Sequence, residues 1–252
     1  MPSYAIVGAS RGIGLEYVRQ LAEKQDSLVF AIVRNPSNIH VVQADVTDPH
    51  SLERAAGQVS DISDGSLDVL IHNAARTDMR LLLRGFNDYK DLDELDADFL
   101  DSFKVNTLGV VHSIHAFLPL LRRGTAKKII VLNTEGASVS LTLRSGAADV
   151  AAYCTTKAAA AMVTAKYAVA LGKEGFVVVS IAPGVVNTSA TAADDTAAKT
   201  FQQIVERMAE AGFQPELLTP AQSVAKQLKV IEGLTPEVNG ALVSNAGDVI
   251  PY

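Results

Sequence analysis

Gly8-Ala9-Ser10-Arg11-Gly12-Ile13-Gly14 lies directly behind the apolar run 4–7 and directly ahead of a helical pattern over 15–24. A strand, a glycine turn and a helix N-terminus in this order make a cradle for a dinucleotide pyrophosphate. Small residues let the backbone approach the phosphates. The unpaired N–H groups of the first helical turn point at the negative charge.

Working outward, short apolar runs alternate with longer amphipathic ones. Strands are expected at 4–7, 28–33, 40–44, 69–72, 128–133, 176–182 and 241–244. They read as continuous apolar stretches, as parallel strands covered on both faces do. Helices are expected at 12–24, 49–59, 99–121, 152–171, 196–211 and 221–232. Right-handed crossovers between such elements give an α/β, doubly wound Rossmann fold with a mostly or fully parallel seven-stranded sheet. With no repeat or linker, residues 1–252 read as a single dinucleotide-binding domain. Two segments break the rhythm, at about 76–93 and 187–213. Both follow strand C-terminal ends, the rim where open α/β sheets bind ligands, and so read as substrate loops.

A chain of 252 residues can bury a large core. The net charge of −6 argues against nucleic acid or an anionic membrane as the main partner. The lone cysteine, Cys154, excludes an intramolecular disulfide framework and fits a reducing compartment. No apolar stretch is long enough for a membrane span. The start, Met1-Pro2-Ser3, leaves no room for a signal peptide before the first strand, so a cytoplasmic protein is expected.

Tyr153-Cys154-Thr155-Thr156-Lys157 opens the helix expected at 152–171. Residues four apart share a helix face, so phenol and ammonium project into one site. A nearby Lys⁺ favours the phenolate and is expected to lower the tyrosine pKa, a direction useful for acid/base work.

With Gly8/Gly12/Gly14, His72-Asn73-Ala74-Ala75, Asn106, Tyr153/Lys157 and Pro183-Gly184 in this order, the chain resembles the short-chain dehydrogenase/reductase family over nearly its whole length. The stretch from Thr219-Pro220 through Gly240 to Gly247 resembles a fungal branch of NADPH-dependent carbonyl reductases. The resemblance implies that Tyr153 gives a proton to the carbonyl oxygen as hydride reaches the carbon. It implies that Lys157 favours the tyrosinate and bonds the nicotinamide ribose, and that Asn106 holds a water linking Lys157 to solvent. Asn106 also reads as a polar residue capping a local break in its helix. The family places a serine just past strand five; strand register puts Thr134 there, and Ser138 takes the place if the strand ends later. Glu135 follows at the rim, either as a solvated loop charge or as a carboxylate recognising an amine or iminium group.

An NAD site usually carries an acid about 20 residues past the glycine run, on the ribose 2′-OH. Here the second strand ends at Arg34, and Arg11 lies inside the glycine turn. Two guanidinium groups grip a 2′-phosphate, with Ser10 adding a hydroxyl, so NADPH/NADP+ is expected over NADH. The resemblance also implies contacts from Ile13 in the turn, from Asp45 and Val46 to the adenine, and from Asn73 and Ala74 to the adenosine ribose and diphosphate. Pro183, Gly184, Val185 or Val186, and Thr188 are implied around the nicotinamide. Ala75 replaces the usual glycine, and Val7 the usual threonine.

His112 and His115 lack accompanying ligands at metal spacing and read as packing or surface residues, so no metal is expected. The acidic stretch from Asp91 to Asp101 reads as a solvated helix face and a helix start. The long helices at 99–121 and 152–171 resemble the family's interface pair, implying a homodimer or homotetramer. The resulting reading is an NADPH-dependent reductase of a small-molecule carbonyl or imine. The alternatives are an NADP-binding sensor without turnover and a non-redox isomerase or cyclase.

Overall fold

In β1 (Ser3–Val7), Ala5 and Val7 enter one core layer while Tyr4 and Ile6 enter the other. This period-two division of the apolar run 4–7 is what a sheet covered on both faces requires. The structure, a computed structural model, describes residues 1–34, 42–192 and 196–251. The chain continues through α1 (Gly12–Ala22), β2 (Leu28–Val33), β3 (Val42–Gln43), α2 (Pro49–Ile62) and β4 (Val69–His72). Then come α3 (Leu92–Phe103), a π-helical turn (Lys104–Leu108), α4 (Gly109–Arg123) and β5 (Lys128–Leu132). The second half holds α5 (Val139–Ser145), α6 (Ala151–Leu171), β6 (Val177–Ile181), β7 (Val185–Val186), α7 (Ala197–Glu210), β8 (Leu217–Leu218), α8 (Pro220–Glu232), β9 (Leu242–Val243) and β10 (Val249–Ile250).

Among the described residues, eight strands form one sheet in the order β10-β9-β6-β5-β4-β1-β2-β3. All neighbours are parallel except the antiparallel pair β9–β10 at one edge. The expected count of seven is thereby corrected, as is a fully parallel sheet. The added strand is only two residues long, too short to show a period in sequence. Of the strand expected at 40–44, Val42–Gln43 is present, while residues 40 and 41 lie outside the described residues. The order reverses between β1 and β4, which opens a crevice at their C-terminal ends.

α2, α4 and α6 cover one face through Leu52, Val59, Ile114, Phe117, Ala160 and Leu171. α1 and α8 cover the other through Tyr17, Leu21, Val224, Leu228 and Ile231. Local chemistry sets the helix starts. Asp48 caps α2 with Pro49 in the first turn, and Asp91 caps α3. Thr219 and Gln222 form a reciprocal capping box on α8, which also begins with proline. The helix expected at 99–121 starts earlier and is interrupted by the π turn at 104–108. The helix expected at 196–211 is present as α7, within the segment expected as a substrate loop at 187–213.

Candidate active site

The glycine turn packs against the end of β4 so tightly that side chains are excluded. Gly8 has φ +86, and a Cβ there would lie 2.6 Å from the Ala74 Cα. A Cβ on Gly14 would stand 2.2 Å from the Gly8 carbonyl oxygen. Asn73 and Ala74 both donate backbone N–H bonds to the Val7 carbonyl at 2.9 Å, and Asn73 Nδ2 donates to the Gly8 carbonyl at 2.7 Å. Asn73 therefore shapes the turn through its side chain. Arg11, the N-cap of α1, makes no side-chain cap, and the first turn carries no acid, so the positive end of the helix is open to an anion. The Gly12 N–H is met at 2.8 Å by Thr191 Oγ1, from the turn just past Thr188. Ser10 is exposed and Ile13 half-buried on the same turn.

Arg11 and Arg34 are exposed, and neither makes an ion pair among the described residues. Asp45 is held by the Thr47 N–H and O–H, both at 2.8 Å. Burial raises its pKa, but the Thr47 bonds and the charges of Arg34 and Lys104 bring it below the usual carboxylate value. Val46 is buried against Gly109, and its carbonyl takes His112 Nδ1 at 2.8 Å. A helix end whose N-cap side chain makes no cap, two guanidinium groups and glycines where the backbone is most closely approached fit a phosphorylated dinucleotide.

At the other end of the crevice, Lys157 is 2% exposed and donates from Nζ to the Leu132 carbonyl at 2.7 Å, where β5 ends. Its Nζ lies 5.8 Å from the centroid of the half-buried Tyr153 ring. Burial lowers the Lys157 pKa to about 8. The expected depression of the tyrosine pKa is not found. Burial, and then the adjacent Cys154, push the phenol above its ordinary value. The ammonium is engaged by the Leu132 carbonyl, so burial dominates at the phenol. Beneath them, buried His72 bonds Ser113 Oγ through Nδ1 at 3.0 Å, and burial followed by the Lys157 charge lowers its pKa to about 3. Burial, and then Asp149, raise the Cys154 thiol to about 11, which removes thiolate reactivity at neutral pH.

Asn106 is fully buried in the π turn, a local break of the kind found at functional sites. Both ends of its side chain are engaged: Oδ1 accepts from the Arg76 N–H at 2.7 Å, and Nδ2 donates to Thr156 Oγ1 at 3.0 Å. Thr134, two residues past β5, is half-buried; its Oγ1 accepts from the Gly136 N–H at 3.2 Å. Ser138 is buried, caps α5, bonds Ser140 Oγ at 2.9 Å and donates to the Pro251 carbonyl. Its hydroxyl is consumed by tethering the C-terminal segment, whereas that of Thr134 retains its proton for another acceptor. Glu135 is exposed in the next turn.

The Pro183 carbonyl accepts from Ser223 Oγ at 2.8 Å and Asn245 Nδ2 at 3.0 Å, and Gly184 follows at φ +82. β7, which holds Val186, pairs with β8, and Thr188 stands over Gly12. The two irregular segments meet at the start of α6. Arg207 of α7 bonds the Leu83 carbonyl at 3.0 Å and Asp149 at 2.6 Å, and the Ala151 N–H bonds the Arg84 carbonyl at 2.9 Å.

Sequence reasoning missed one cluster. Asp98, on the helix read as a solvated face, is 4% exposed. It pairs with Arg76 Nη1 and accepts from the Tyr89 hydroxyl at 2.8 Å. The correction has a simple cause: Asp98 and Ser102 are one turn apart on the inner side of α3, and Arg76 follows directly after Asn73-Ala74-Ala75. Among the described residues, no group of three His, Cys, Asp or Glu side chains stands close enough to hold a metal. Nor is any helix there long and apolar enough to cross a membrane.

Comparison with known proteins places the fold and the family. The chain matches the short chain dehydrogenase family model over residues 3–199. It is 37% identical over 265 residues to the short-chain dehydrogenase/reductase AacuF of Aspergillus aculeatus, covering 98% of each chain. It is 36% identical over 268 residues to the short-chain dehydrogenase/reductase atnB of an Arthrinium species, again covering 98% of each. Among solved structures, an NADPH-bound carbonyl reductase from chicken fatty liver superposes with a TM-score of 0.79 at 24% identity, covering 100% of this chain and 99% of the other. The carbonyl reductase Sniffer of D. melanogaster does so with a TM-score of 0.79 at 22% identity, covering 100% of both. A match across most of the chain, with relatives alike over nearly their whole length, means that this chain belongs to the short-chain dehydrogenase/reductase family.

Proposed function

We propose that the protein is an NADPH-dependent reductase of a small-molecule carbonyl or imine. One observation carries this reading: Tyr153 and Lys157 share one face of α6, with Lys157 bonded to the C-terminal end of β5, the strand next to the crevice between β1 and β4. NADPH is supported by Arg11 and Arg34 where an NAD site carries an acid, and by the open N-terminus of α1. Arg11, Arg34 and Ser10 hold the 2′-phosphate. Ile13 and Gly14 present backbone N–H groups to the diphosphate, and Gly12, whose own N–H is taken by Thr191, lets the backbone approach it. Asp45, Val46, Asn73 and Ala74 border the adenosine, while Pro183, Gly184, Val186 and Thr188 border the nicotinamide.

The bound nicotinamide supplies the hydride. Tyr153, whose raised pKa keeps its proton at neutral pH, donates that proton to the substrate oxygen. Thr134 donates its free hydroxyl hydrogen to the same oxygen and orients it. Lys157 bonds the ribose with an ammonium already directed by the Leu132 carbonyl. Asn106 holds the π turn against the start of the substrate loop, which keeps the floor of the site in place.

The chain functions as one dinucleotide-binding domain, with substrate loops at about 76–93 and 187–213. A cytoplasmic location is supported by the single cysteine. A homodimer or homotetramer is supported by exposed Met162 and Val169 on α6. The test is NADPH oxidation, followed by absorbance, across ketones, aldehydes, quinones and cyclic imines. Tyr153→Phe should lower kcat/KM by roughly 10²–10⁴-fold. A Tyr153→Phe protein as active as its parent refutes the proton-donor role. Product formation without stoichiometric NADPH loss would assign a non-redox step, and NADPH binding without any turnover a sensor.

A further inference from the structure

Val150 heads α6 in a conformation that its side chain disfavours. Its φ is +56 and its ψ +32, in the left-handed region, and it makes no side-chain cap. A helix start ordinarily carries Ser, Thr, Asp or Asn in extended backbone. The left-handed form of an L-residue is disfavoured by roughly tenfold, and a branched Cβ makes it rarer still. Where the described chain turns to positive φ it uses glycine nine times, and otherwise Asp64, Lys127 and Val150. Val150 is the one β-branched residue among them, and it stands three residues before Tyr153.

Such strain persists only where the surroundings hold it. Here both irregular segments do so. From 76–93, the Arg84 carbonyl takes the Ala151 N–H at 2.9 Å, and Gly85 lies so close to Ala148 that a Cβ on it would stand 2.8 Å from the Ala148 carbonyl oxygen. From α7, Arg207 Nη1 bonds Asp149 at 2.6 Å and the Leu83 carbonyl at 3.0 Å, so one guanidinium ties the two segments to the residue before Val150. On its other side the Val150 carbonyl accepts from the Cys154 N–H at 3.0 Å, the bond that opens α6. The torsions of Val150 therefore set where the helix begins. Lys157, one turn beyond Tyr153, is anchored separately by the Leu132 carbonyl.

We infer that Val150 is a positioning residue whose strained backbone makes the place of Tyr153 depend on the docking of α7. When the Arg207–Asp149 clamp is lost, Val150 relaxes to negative φ and the first turn of α6 carries the phenol away from the ammonium. A residue at ease in the left-handed region would leave Tyr153 in place whether α7 is docked or not. This rests on the proton-donor role proposed above for Tyr153.

The test is a double-mutant cycle. NADPH-dependent reduction of 4-nitrobenzaldehyde and of 9,10-phenanthrenequinone is measured with Arg207→Gln and, separately, with Asp149→Asn, which breaks the same pair without touching α7. Each is made in the parent and in a Val150→Gly background. In the parent background each should lower kcat by about tenfold, the population factor of the left-handed form. In the Val150→Gly background the same change should alter kcat by about twofold or less, because glycine turns left-handed without penalty. Equal losses of kcat in both backgrounds, or a loss in neither, overturn the inference; a clamp that served only the fold or substrate contact would not be relieved by Val150→Gly. If the parent oxidises NADPH with neither substrate, the reductase reading fails for these classes, and the position of Tyr153 is read without turnover. Tyrosines labelled with ¹³C at Cζ are observed by NMR, with the Tyr153 signal assigned by its loss in Tyr153→Phe. A signal moved by Arg207→Gln in the parent but not in the Val150→Gly background upholds the inference. A signal unmoved in the parent, or moved alike in both, overturns it.

Discussion

Replacing Lys157 with methionine should make the cofactor-free protein more stable while abolishing most of its activity. Burial lowers the Lys157 pKa from 10.5 to about 8. At 1.36 kcal/mol per unit, holding the charged form inside the fold at neutral pH costs about 3 kcal/mol. Methionine fills much the same volume without that cost, but leaves the Leu132 carbonyl without the Lys157 bond, which returns roughly 1–2 kcal/mol. The net expectation is a gain of about 1–2 kcal/mol at pH 7, or several degrees in Tm. The pH dependence carries the sign. Below pH 8 both the folded and the unfolded parent hold the proton, and the cost is complete. Between about 8 and 10.5 the unfolded chain binds the proton more often than the folded one, so the stability of the parent rises with pH. The advantage of Lys157→Met should therefore shrink across that window and vanish or reverse above it. Urea or thermal melts of both proteins from pH 6.5 to 10.5 measure this, and the difference cancels other titrating groups. A less stable variant at pH 7, or a gap that does not change with pH, refutes the argument. Activity should fall by about 10²-fold or more, showing that the buried ammonium is retained for the site at the expense of the fold.

Arg34→Asp should reverse cofactor preference. The loss of a charge-assisted bond to the 2′-phosphate weakens NADPH binding by roughly 10- to 100-fold while NADH improves, as titration of each nucleotide would show. Asp68→Asn should destabilise the protein by about 1–3 kcal/mol at pH 7, measured by urea unfolding, because at the N-terminal ends of the central strands Asp68 accepts from Ser3, Thr125 and Ala126. Burial raises the Asp68 pKa, but these bonds more than offset it and hold the value below 3.8. The Asp68 contribution is therefore present above that pH and lost as pH falls through the lowered value, so the gap between parent and variant should narrow in acid.

The elements easiest to read were those whose signal is local. The turn at Gly8 to Gly14 declares itself because a strand, a set of glycines and a helix start are adjacent in the chain. The Tyr153/Lys157 pair declares itself because one helical turn fixes its common face. Thr134 and Ser138 could not be told apart from sequence, since the choice depends on where β5 stops and on what reaches Ser138. The structure shows the Pro251 carbonyl there, from 113 residues away. Asp98 was misread for a related reason. An acidic helix stretch says nothing about which of its carboxylates turns inward, and the partner Arg76 lies in a different segment.

The sequence alone determined the α/β alternation, the parallel sheet, the glycine turn and the shared helix face of Tyr153 and Lys157, because each is written in neighbours within one or two turns of chain. Tertiary structure decided the protonation balance of that pair, the full use of Asn106 and the inward face of α3. These depend on burial and on partners 22 to 50 residues apart, and desolvation, unlike helical spacing, has no imprint in the local pattern of residues.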